Sequence, residues 1–345
     1  MKWRPGKEFK NQKKLENSDL NSSEGSIFPT KSQMAKIILC LACTGIFLSA
    51  DGNRKKVNRA SISPQKLVAR VDRVASAISV KILDQDFLGS GFIVQHSDQD
   101  YIVITNQHVL RAGEAPYKIE TVDGKTHVAE VITDMSNADY QYDLAILKFT
   151  TDVDYETAKI ASSSSLNVGD RVFAAGFPYR EFGSARTPDL FPESQHPGRD
   201  LALKQGRIAI ILDRALEEGY QIGYTNDVRK GMSGGALLNQ KGEVIGVNGK
   251  HAYPLWESPE IYQDGSEPCP ALQELITRSS LAIPIEKSIE IATPLKSLKS
   301  SPASIELPTE SNLQSKDADL VAKMQQVAES TKKQCRQERA VLENQ

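Results

Sequence analysis

The segment KGMSGGA, residues 230–236, places one serine, Ser233, among three glycines. Glycine loses more conformational freedom on folding than other residues, so such a cluster usually marks a tight turn or a backbone that approaches another group closely. Two interpretations are open on this segment alone. It is either a surface turn, or a turn that presents Ser233 as a nucleophile beside backbone N–H groups able to stabilise an oxyanion.

The nucleophilic interpretation requires a base, because a serine hydroxyl is a weak nucleophile until its proton is removed. The chain contains five histidines, namely His96, His108, His127, His196 and His251. His108 follows the β-branched run YIVIT, a context typical of a strand-end histidine that faces a cleft. Asp143 begins the alternating segment DLAIL, where a carboxylate can be partly buried and hold an imidazole. An ordinary surface histidine and a turn aspartate are the alternatives.

Short β-branched segments, separated by Gly, Asp and Asn turns, dominate the chain from about residue 76 to residue 292. Many short strands at this spacing predict barrels or sandwiches rather than a parallel sheet with crossover helices. The predicted strands are SAISVKI (76–82), GFIV (91–94), YIVIT (101–105), HVAEVIT (127–133), DLAILKF (143–149), RVFAAGF (171–177), RIAIIL (207–212), YQIGYT (220–225), GALL (235–238), EVIGVN (243–248) and AIPI (282–285). The longer segments 179–200 and 251–270 are expected to be ordered binding loops.

TNQHVL, DLAIL and GMSGG, in this order, resemble the histidine, aspartate and serine segments of the trypsin-like (chymotrypsin-fold) serine proteases. The similarity is strongest to the bacterial branch that includes the high-temperature-requirement proteases and the glutamyl endopeptidases. The segments GSGFIV, VGDRVFAAGFP and EVIGVN also resemble supporting segments of that branch. The resemblance implies an all-β fold of two packed six-stranded antiparallel barrels within residues 66–293. Barrel 1 is expected at about 70–160 and barrel 2 at about 165–293.

The resemblance also implies a serine endopeptidase that works through an acyl-enzyme intermediate. Ser233 would attack the scissile carbonyl, His108 would take its proton and return it to the leaving amine, and Asp143 would orient the imidazole. The backbone N–H groups of Gly231 and Ser233 would form the oxyanion hole. This chemistry needs a protein or peptide substrate and no metal ion or organic cofactor. The alternative is a catalytically silent binding protein that uses its long loops and C-terminal helix.

Two departures from the family pattern concern activation and specificity. Met232 stands where digestive trypsin-like enzymes carry an aspartate that pairs with a newly cut N-terminus, so activation by that route is not expected. Asn248 stands where the glutamyl endopeptidases carry a histidine, although His251 lies nearby. A preference for acidic residues is therefore not implied.

Asp227 stands six residues before Ser233, the offset at which trypsin carries its pocket aspartate. In a narrow, dehydrated pocket this carboxylate would favour Arg or Lys before the cut. The alternative is a turn aspartate that Arg229 or Lys230 neutralises. The resemblance completes the predicted pocket with Asn248, Gly249 and His251.

The N-terminal part, residues 1–60, differs from the rest of the chain. Residues 1–33 are polar and lysine-rich and are expected to be disordered. The apolar core of the next segment, residues 37–48, suits an export signal, which predicts a periplasmic or extracellular location. A membrane anchor through residues 37–50 is the alternative. The basic residues that follow Ala50 oppose translocation.

The C-terminal part, residues 294–345, reads as a Ser/Pro linker followed by a helix. Its predicted apolar face contains Leu320, Val321, Met324 and Val327, and would pack on the chain's own domain or on a partner. Cys269 and Cys335 allow at most one disulfide, and the sequence leaves their pairing open. The whole chain of 345 residues is 25% charged with a formal net charge of −2, which gives no indication of a nucleic-acid partner.

Overall fold

The structure is a computed structural model that describes residues 63–132, 142–179, 200–253, 259–291 and 315–343. The predicted export signal or anchor and parts of both long loops lie outside these ranges. None of the helices in the described ranges combines the length and the apolar character needed to cross a bilayer.

Helix α1 (Pro64–Ile78) opens the described chain. Its N-cap is Ser63, whose side chain accepts a hydrogen bond from the backbone of Lys66. The helix buries Val71, Ala75 and Ile78, an i, i+4, i+7 spacing that places all three on one face. The prediction of a strand from residue 76 was therefore wrong at its start, because the helix continues to Ile78 and the strand begins one residue later.

The first barrel contains β1 (Ser79–Leu83), β2 (Phe87–Ser97), β3 (Asp100–Thr105), β4 (Tyr117–Glu120), β5 (Thr126–Val131) and β6 (Ala145–Thr150). Helix α2 (Gln107–Arg111) follows β3. The strands close antiparallel in the order β1-β2-β3-β6-β5-β4. Sequence patterning missed β4, in which only Ile119 is buried.

The second barrel contains β7 (Arg171–Gly176), β8 (Ala202–Ile211), β9 (Ile222–Tyr224), β10 (Ala236–Leu238), β11 (Val244–Lys250) and β12 (Ser280–Pro284). It closes antiparallel in the order β10-β11-β12-β9-β8-β7. Two closed six-stranded barrels confirm the predicted all-β fold class. Barrel 1 hereafter means β1–β6 with the described segments that connect them, and barrel 2 means β7–β12 with the described segments that connect them.

The core has three parts, one inside each barrel and one shared between them. In β3, Tyr101 and Val103 belong to the core of barrel 1, whereas Ile102 and Ile104 belong to the shared core. Strand β7 alternates in the same way between the core of barrel 2 and the shared core. Because both faces of these strands are buried, their sequences are continuous apolar runs and do not alternate between apolar and polar residues.

Three helices follow or flank barrel 2: α3 (Pro270–Thr277), α4 (Ile285–Ile291) and α5 (Ser315–Glu343). Helix α5 packs against barrel 2. The carboxylate of Asp317 lies 3.2 Å from Arg171 and 3.6 Å from Arg207. Cys335 on the same helix is joined to Cys269 at the start of α3 by a disulfide with an S–S distance of 1.90 Å. The helix is thus fixed to barrel 2 at two separated points.

The predicted apolar face of α5 was wrong in part. Leu320 and Val327 are 46% and 51% exposed. The packed face instead contains Val321, Met324, Ala328, Thr331 and Cys335. These residues follow a 3-4-3-4 spacing, which keeps one stripe in contact along a helix. Ala328, Thr331 and Cys335 are not large apolar residues, so a search for large apolar residues found only Val321 and Met324 of this stripe.

Candidate active site

His108 and Asp143 lie at neighbouring strand ends of barrel 1. Strands β3 and β6 pair so that Thr105, the last residue of β3, lies opposite Ala145, the first of β6. His108 comes three residues after Thr105 and Asp143 two residues before Ala145. The buried side chain of Asn106 fastens the two segments by donating to the Asp143 carbonyl at 2.7 Å. Strand register therefore brings the predicted base and carboxylate together.

The carboxylate of Asp143 accepts two hydrogen bonds from His108. His108 Nδ1 lies 2.5 Å from Asp143 Oδ2, and the His108 backbone N–H donates to Asp143 Oδ1 at 2.8 Å. The Asp143 side chain is 1% exposed, whereas that of His108 is 40% exposed. Within the described residues the other ring nitrogen, Nε2, makes no hydrogen bond. The imidazole is thus held through one nitrogen and available through the other.

Electrostatics favours an ionised Asp143. Burial alone would raise the pKa of the carboxyl, but the hydrogen bond and charge of His108 and the hydroxyl of Tyr220 together hold that pKa below its usual value. An ionised carboxylate can only accept hydrogen bonds, so Nδ1 of the neighbouring imidazole carries the proton. Nε2 of a neutral His108 is then a proton acceptor, as a general base requires.

Ser233 lies in the loop between β9 and β10 of barrel 2. Its neighbours Gly231 and Gly234 have φ values of +93° and +81°, the left-handed region that favours glycine. Steric constraints also require glycine at these two positions. A Cβ at Gly231 would lie less than 3.0 Å from backbone atoms of Phe177 and Tyr179, and one at Gly234 equally close to the Ser90 carbonyl. The glycines therefore permit both the turn and its close approach to neighbouring backbone.

The same loop contains two N–H groups that have no partner among the described residues. The backbone N–H groups of Met232, Gly234 and Gly235 donate to the carbonyls of Arg229, Asn248 and Met232, at 3.0, 2.8 and 3.1 Å. Those of Gly231 and Ser233 make no hydrogen bond within the described chain. A pair of free donors on one turn is the arrangement that stabilises negative charge on a carbonyl oxygen.

The Ser233 hydroxyl makes no hydrogen bond to His108 in this structure. It donates to the Gly249 carbonyl at 3.0 Å. Proton transfer to His108 Nε2 therefore requires the serine side chain to turn away from Gly249. Hydrogen bonds of catalytic groups are often long or misdirected before substrate binds.

The four predicted pocket residues occupy different environments. Gly249 adjoins Ser233 through its carbonyl, and His251 is exposed. Asn248 is fully buried, where its side chain accepts from Tyr224 at 2.8 Å and donates to two backbone carbonyls at 3.1 Å. The Asp227 side chain is 63% exposed and lies 2.9 Å from Arg229. This placement of Asp227 corresponds to the alternative of a neutralised turn aspartate rather than to a dehydrated pocket.

Two residues that sequence reasoning missed contact the candidate triad. Ser90, on β2 of barrel 1, donates through Oγ to the Gly231 carbonyl at 2.7 Å and accepts from the Phe177 N–H at 2.8 Å. Tyr220, from barrel 2, donates to Asp143 Oδ2 at 2.5 Å. The glycines on either side of Ser90, in the segment GSG, could have indicated that another part of the backbone packs closely there. The sequence around Tyr220 contains no comparable motif.

The comparisons with known proteins agree with this geometry. Residues 89–247 match the family model of the trypsin-like peptidase domain. Serine protease HTR4 of Rattus norvegicus is 32% identical over 160 residues, which are 46% of this chain and 29% of that protein. Serine protease Do-like HtrA of Lactobacillus helveticus is 29% identical over 161 residues, 46% of this chain and 35% of that protein. The matched region thus spans about a third of the length of these relatives. Residues 89–247 are therefore similar to the trypsin-like peptidase domain and to the matched region of the HtrA serine proteases.

Proposed function

We propose that this protein is a serine endopeptidase in which His108, Asp143 and Ser233 form the catalytic triad. The observation that carries the proposal is the buried Asp143 carboxylate, bonded to His108 Nδ1 at 2.5 Å, together with a glycine turn whose Gly231 and Ser233 N–H groups make no hydrogen bond to any described residue. The trypsin-like peptidase domain and the relatives named serine proteases support the same reaction.

The reaction begins when a peptide carbonyl approaches the Gly231–Ser233 turn. The Ser233 hydroxyl leaves the Gly249 carbonyl, gives its proton to His108 Nε2 and attacks the carbonyl carbon. The two free N–H groups stabilise the oxyanion, and Asp143 stabilises the imidazolium. His108 then protonates the leaving amine as the C–N bond breaks, which leaves an acyl group on Ser233. Water, deprotonated by His108, releases the new carboxylate and restores the serine.

The test is labelling with a fluorophosphonate, which reacts only with an activated serine, followed by hydrolysis of a peptide library. We expect labelling and hydrolysis in the wild type and loss of both in Ser233→Ala, with turnover reduced by several orders of magnitude. Ser164→Ala is a matched control, because Ser164 is an exposed serine in the turn Ser163–Ser165 that precedes barrel 2. A folded wild-type protein that neither labels nor cleaves peptides would contradict the proposal.

A catalytically silent binding protein remains the second candidate. One observation favours it: the Ser233 hydroxyl is bonded to the Gly249 carbonyl and not to His108. The same labelling experiment separates the two candidates, because a hydroxyl that stays on the carbonyl is not activated and would not react.

We further propose that the protein acts outside the cytoplasm on protein or peptide substrates. The apolar segment 37–48, which suits an export signal, supports this location. Cell fractionation with mass measurement of the mature N-terminus tests it. Recovery of the uncleaved chain in the cytoplasm would oppose export, and recovery of an intact chain in membranes would favour the anchor alternative.

A further inference from the structure

We propose that Tyr220 is a positioning residue of the triad, and that position 249 is glycine because the Tyr220 hydroxyl needs the space that a side chain would fill. This inference rests on the proposed function, because it assigns Tyr220 to the orientation of Asp143 and His108.

The hydroxyl of Tyr220 donates to Asp143 Oδ2 at 2.5 Å, the same oxygen that lies 2.5 Å from His108 Nδ1. Oδ2 thus has two donors, one from each barrel, and Oδ1 takes the third hydrogen bond from the His108 backbone. Without the Tyr220 donor, Oδ2 would keep only the hydrogen bond to His108, and the Asp143 carboxylate could rotate more easily about its Cβ–Cγ bond. The Tyr220 hydroxyl therefore opposes the rotation that would misalign the imidazole.

Burial strengthens the hydrogen bond between Tyr220 and Asp143. Tyr220 and Asp143 are 0% and 1% exposed, so water does not compete for the carboxylate. Burial and the neighbouring carboxylate raise the pKa of Tyr220 well above its usual value, which keeps the phenol protonated and able to donate. Hydrogen bonds to a buried charged group are among the strongest in proteins.

The tyrosine ring is confined by strand β11. A Cβ at Gly249 would lie less than 3.0 Å from the Tyr220 hydroxyl and from two ring carbons. On another side, Lys250 Nζ lies 4.9 Å from the ring centre and is itself bonded to Glu260 at 2.9 and 3.0 Å. The Tyr220 ring therefore fills the space beside β11 that a side chain at position 249 would need.

Gly249 lies between Ser233 on one side and Tyr220 on the other. The Gly249 carbonyl accepts the Ser233 hydroxyl at 3.0 Å, and the space that a Cβ at this position would need is occupied by the Tyr220 hydroxyl. Tyr220 in turn donates to Asp143. Position 249 therefore adjoins both the proposed nucleophile and, through Tyr220, the proposed carboxylate.

The charged groups around this pair determine how a variant should respond to pH. Arg111 lies 3.9 Å from Asp143 Oδ1 and 3.3 Å from Glu218. Lys250, Glu260 and Glu218 surround the other side of Tyr220. Tyr220→Phe changes none of these charges. It removes one neutral donor from the Asp143 carboxylate, whose negative charge then acts more strongly on a protonated His108.

The experiment compares Tyr220→Phe with Tyr155→Phe. Tyr155 is also buried, and its hydroxyl also donates to a carboxylate, that of Asp123 at 3.0 and 3.1 Å, but within barrel 1 and away from the triad. For Tyr220→Phe we expect kcat to fall about tenfold with KM within about twofold, the loss of roughly one charged hydrogen bond. We also expect the acid limb of the pH–rate profile to move to higher pH. Tyr155→Phe should keep the wild-type kcat, KM and profile.

A readout that does not need activity is the downfield NMR signal of the proton between His108 Nδ1 and Asp143. It should move in Tyr220→Phe and stay in Tyr155→Phe. If Tyr220→Phe retains the wild-type signal, kcat and pH profile, the inference is overturned. If wild type fails to label with fluorophosphonate while the signal still moves in Tyr220→Phe, the endopeptidase proposal fails and the positioning role stands.

Gly249→Ala provides a second variant that keeps the hydroxyl and crowds it. The added methyl group must displace the Tyr220 ring, so kcat should fall at least as far as in Tyr220→Phe. Wild-type turnover in a folded Gly249→Ala protein would overturn the proposed relation between the two residues.

Discussion

The two barrels contribute to the candidate site in different ways. Barrel 1 supplies His108 and Asp143 from the ends of two paired strands, where the register Thr105↔Ala145 sets their separation. Barrel 2 supplies Ser233 from the loop between β9 and β10, where the backbone depends on two glycines with positive φ. The proposed base and its carboxylate are therefore positioned mainly by strand pairing, and the proposed nucleophile by a turn that contacts the other barrel.

That support comes from Ser90 of barrel 1, which bonds to the nucleophile loop at the Gly231 and Ser233 carbonyls, at 2.7 and 2.9 Å. For His108 and Asp143, strand register sets the separation and Tyr220 adds one hydrogen bond from the other barrel. Helix α5 is joined to barrel 2 by a disulfide and by ion pairs, and we expect these contacts to stabilise the fold of that barrel. The following predictions test this contrast, from the largest expected effect on turnover to the smallest.

Asp143→Asn should have the largest effect, a loss of about 10⁴ in kcat, because an amide can donate to Nδ1 and stabilise the wrong imidazole tautomer. Steady-state kinetics with the best peptide of the library measures it, and circular dichroism checks the fold. A loss of less than about tenfold would show that strand-end placement of His108 suffices without the carboxylate.

Ser90→Ala should lower kcat by roughly ten- to a hundredfold, because the Gly231 carbonyl and the Phe177 N–H lose their buried partner and the oxyanion turn is released. The control is Ser97→Ala, at the exposed end of the same strand β2. If both variants have equal turnover, the nucleophile loop does not depend on barrel 1.

Cys335→Ser should leave kcat of the folded protein near the wild-type value while lowering the free energy of unfolding. The disulfide spans 66 residues, for which loop-closure entropy gives about 4 kcal/mol. Denaturant unfolding of wild type and variant measures the loss, and peptide hydrolysis in buffer measures turnover. A large fall in kcat without loss of stability would place α5 in the catalytic machinery instead of in the support of barrel 2.

Asp227→Ala should have the smallest effect, with turnover and preference within about twofold, because the exposed carboxylate pairs with Arg229 in solvent-screened surroundings. Peptides with Arg, Glu, Leu or Ala before the cut provide the measurement in both proteins. A wild-type preference for Arg that disappears in the variant would restore the predicted pocket role of Asp227.

Much of this protein could be predicted from its sequence, because the informative features are local. Short β-branched runs separated by turns predicted strands, and the order of TNQHVL, DLAIL and GMSGG led to the two barrels and to His108, Asp143 and Ser233. The glycines at 231 and 234 indicated a tight turn, because the positive φ that they adopt is a local property of the backbone in that turn.

Other features were decided only by the tertiary structure. Tyr220 meets Asp143 across 77 residues, and Ser90 meets Gly231 across 141, so neither pair has a spacing that a sequence pattern reports. The burial of Asn248, the exposure of Asp227 and the packed face of α5 depend on which surfaces meet when the barrels close. Local patterns specify backbone conformation, whereas these contacts arise from strand register and barrel packing, which combine distant segments.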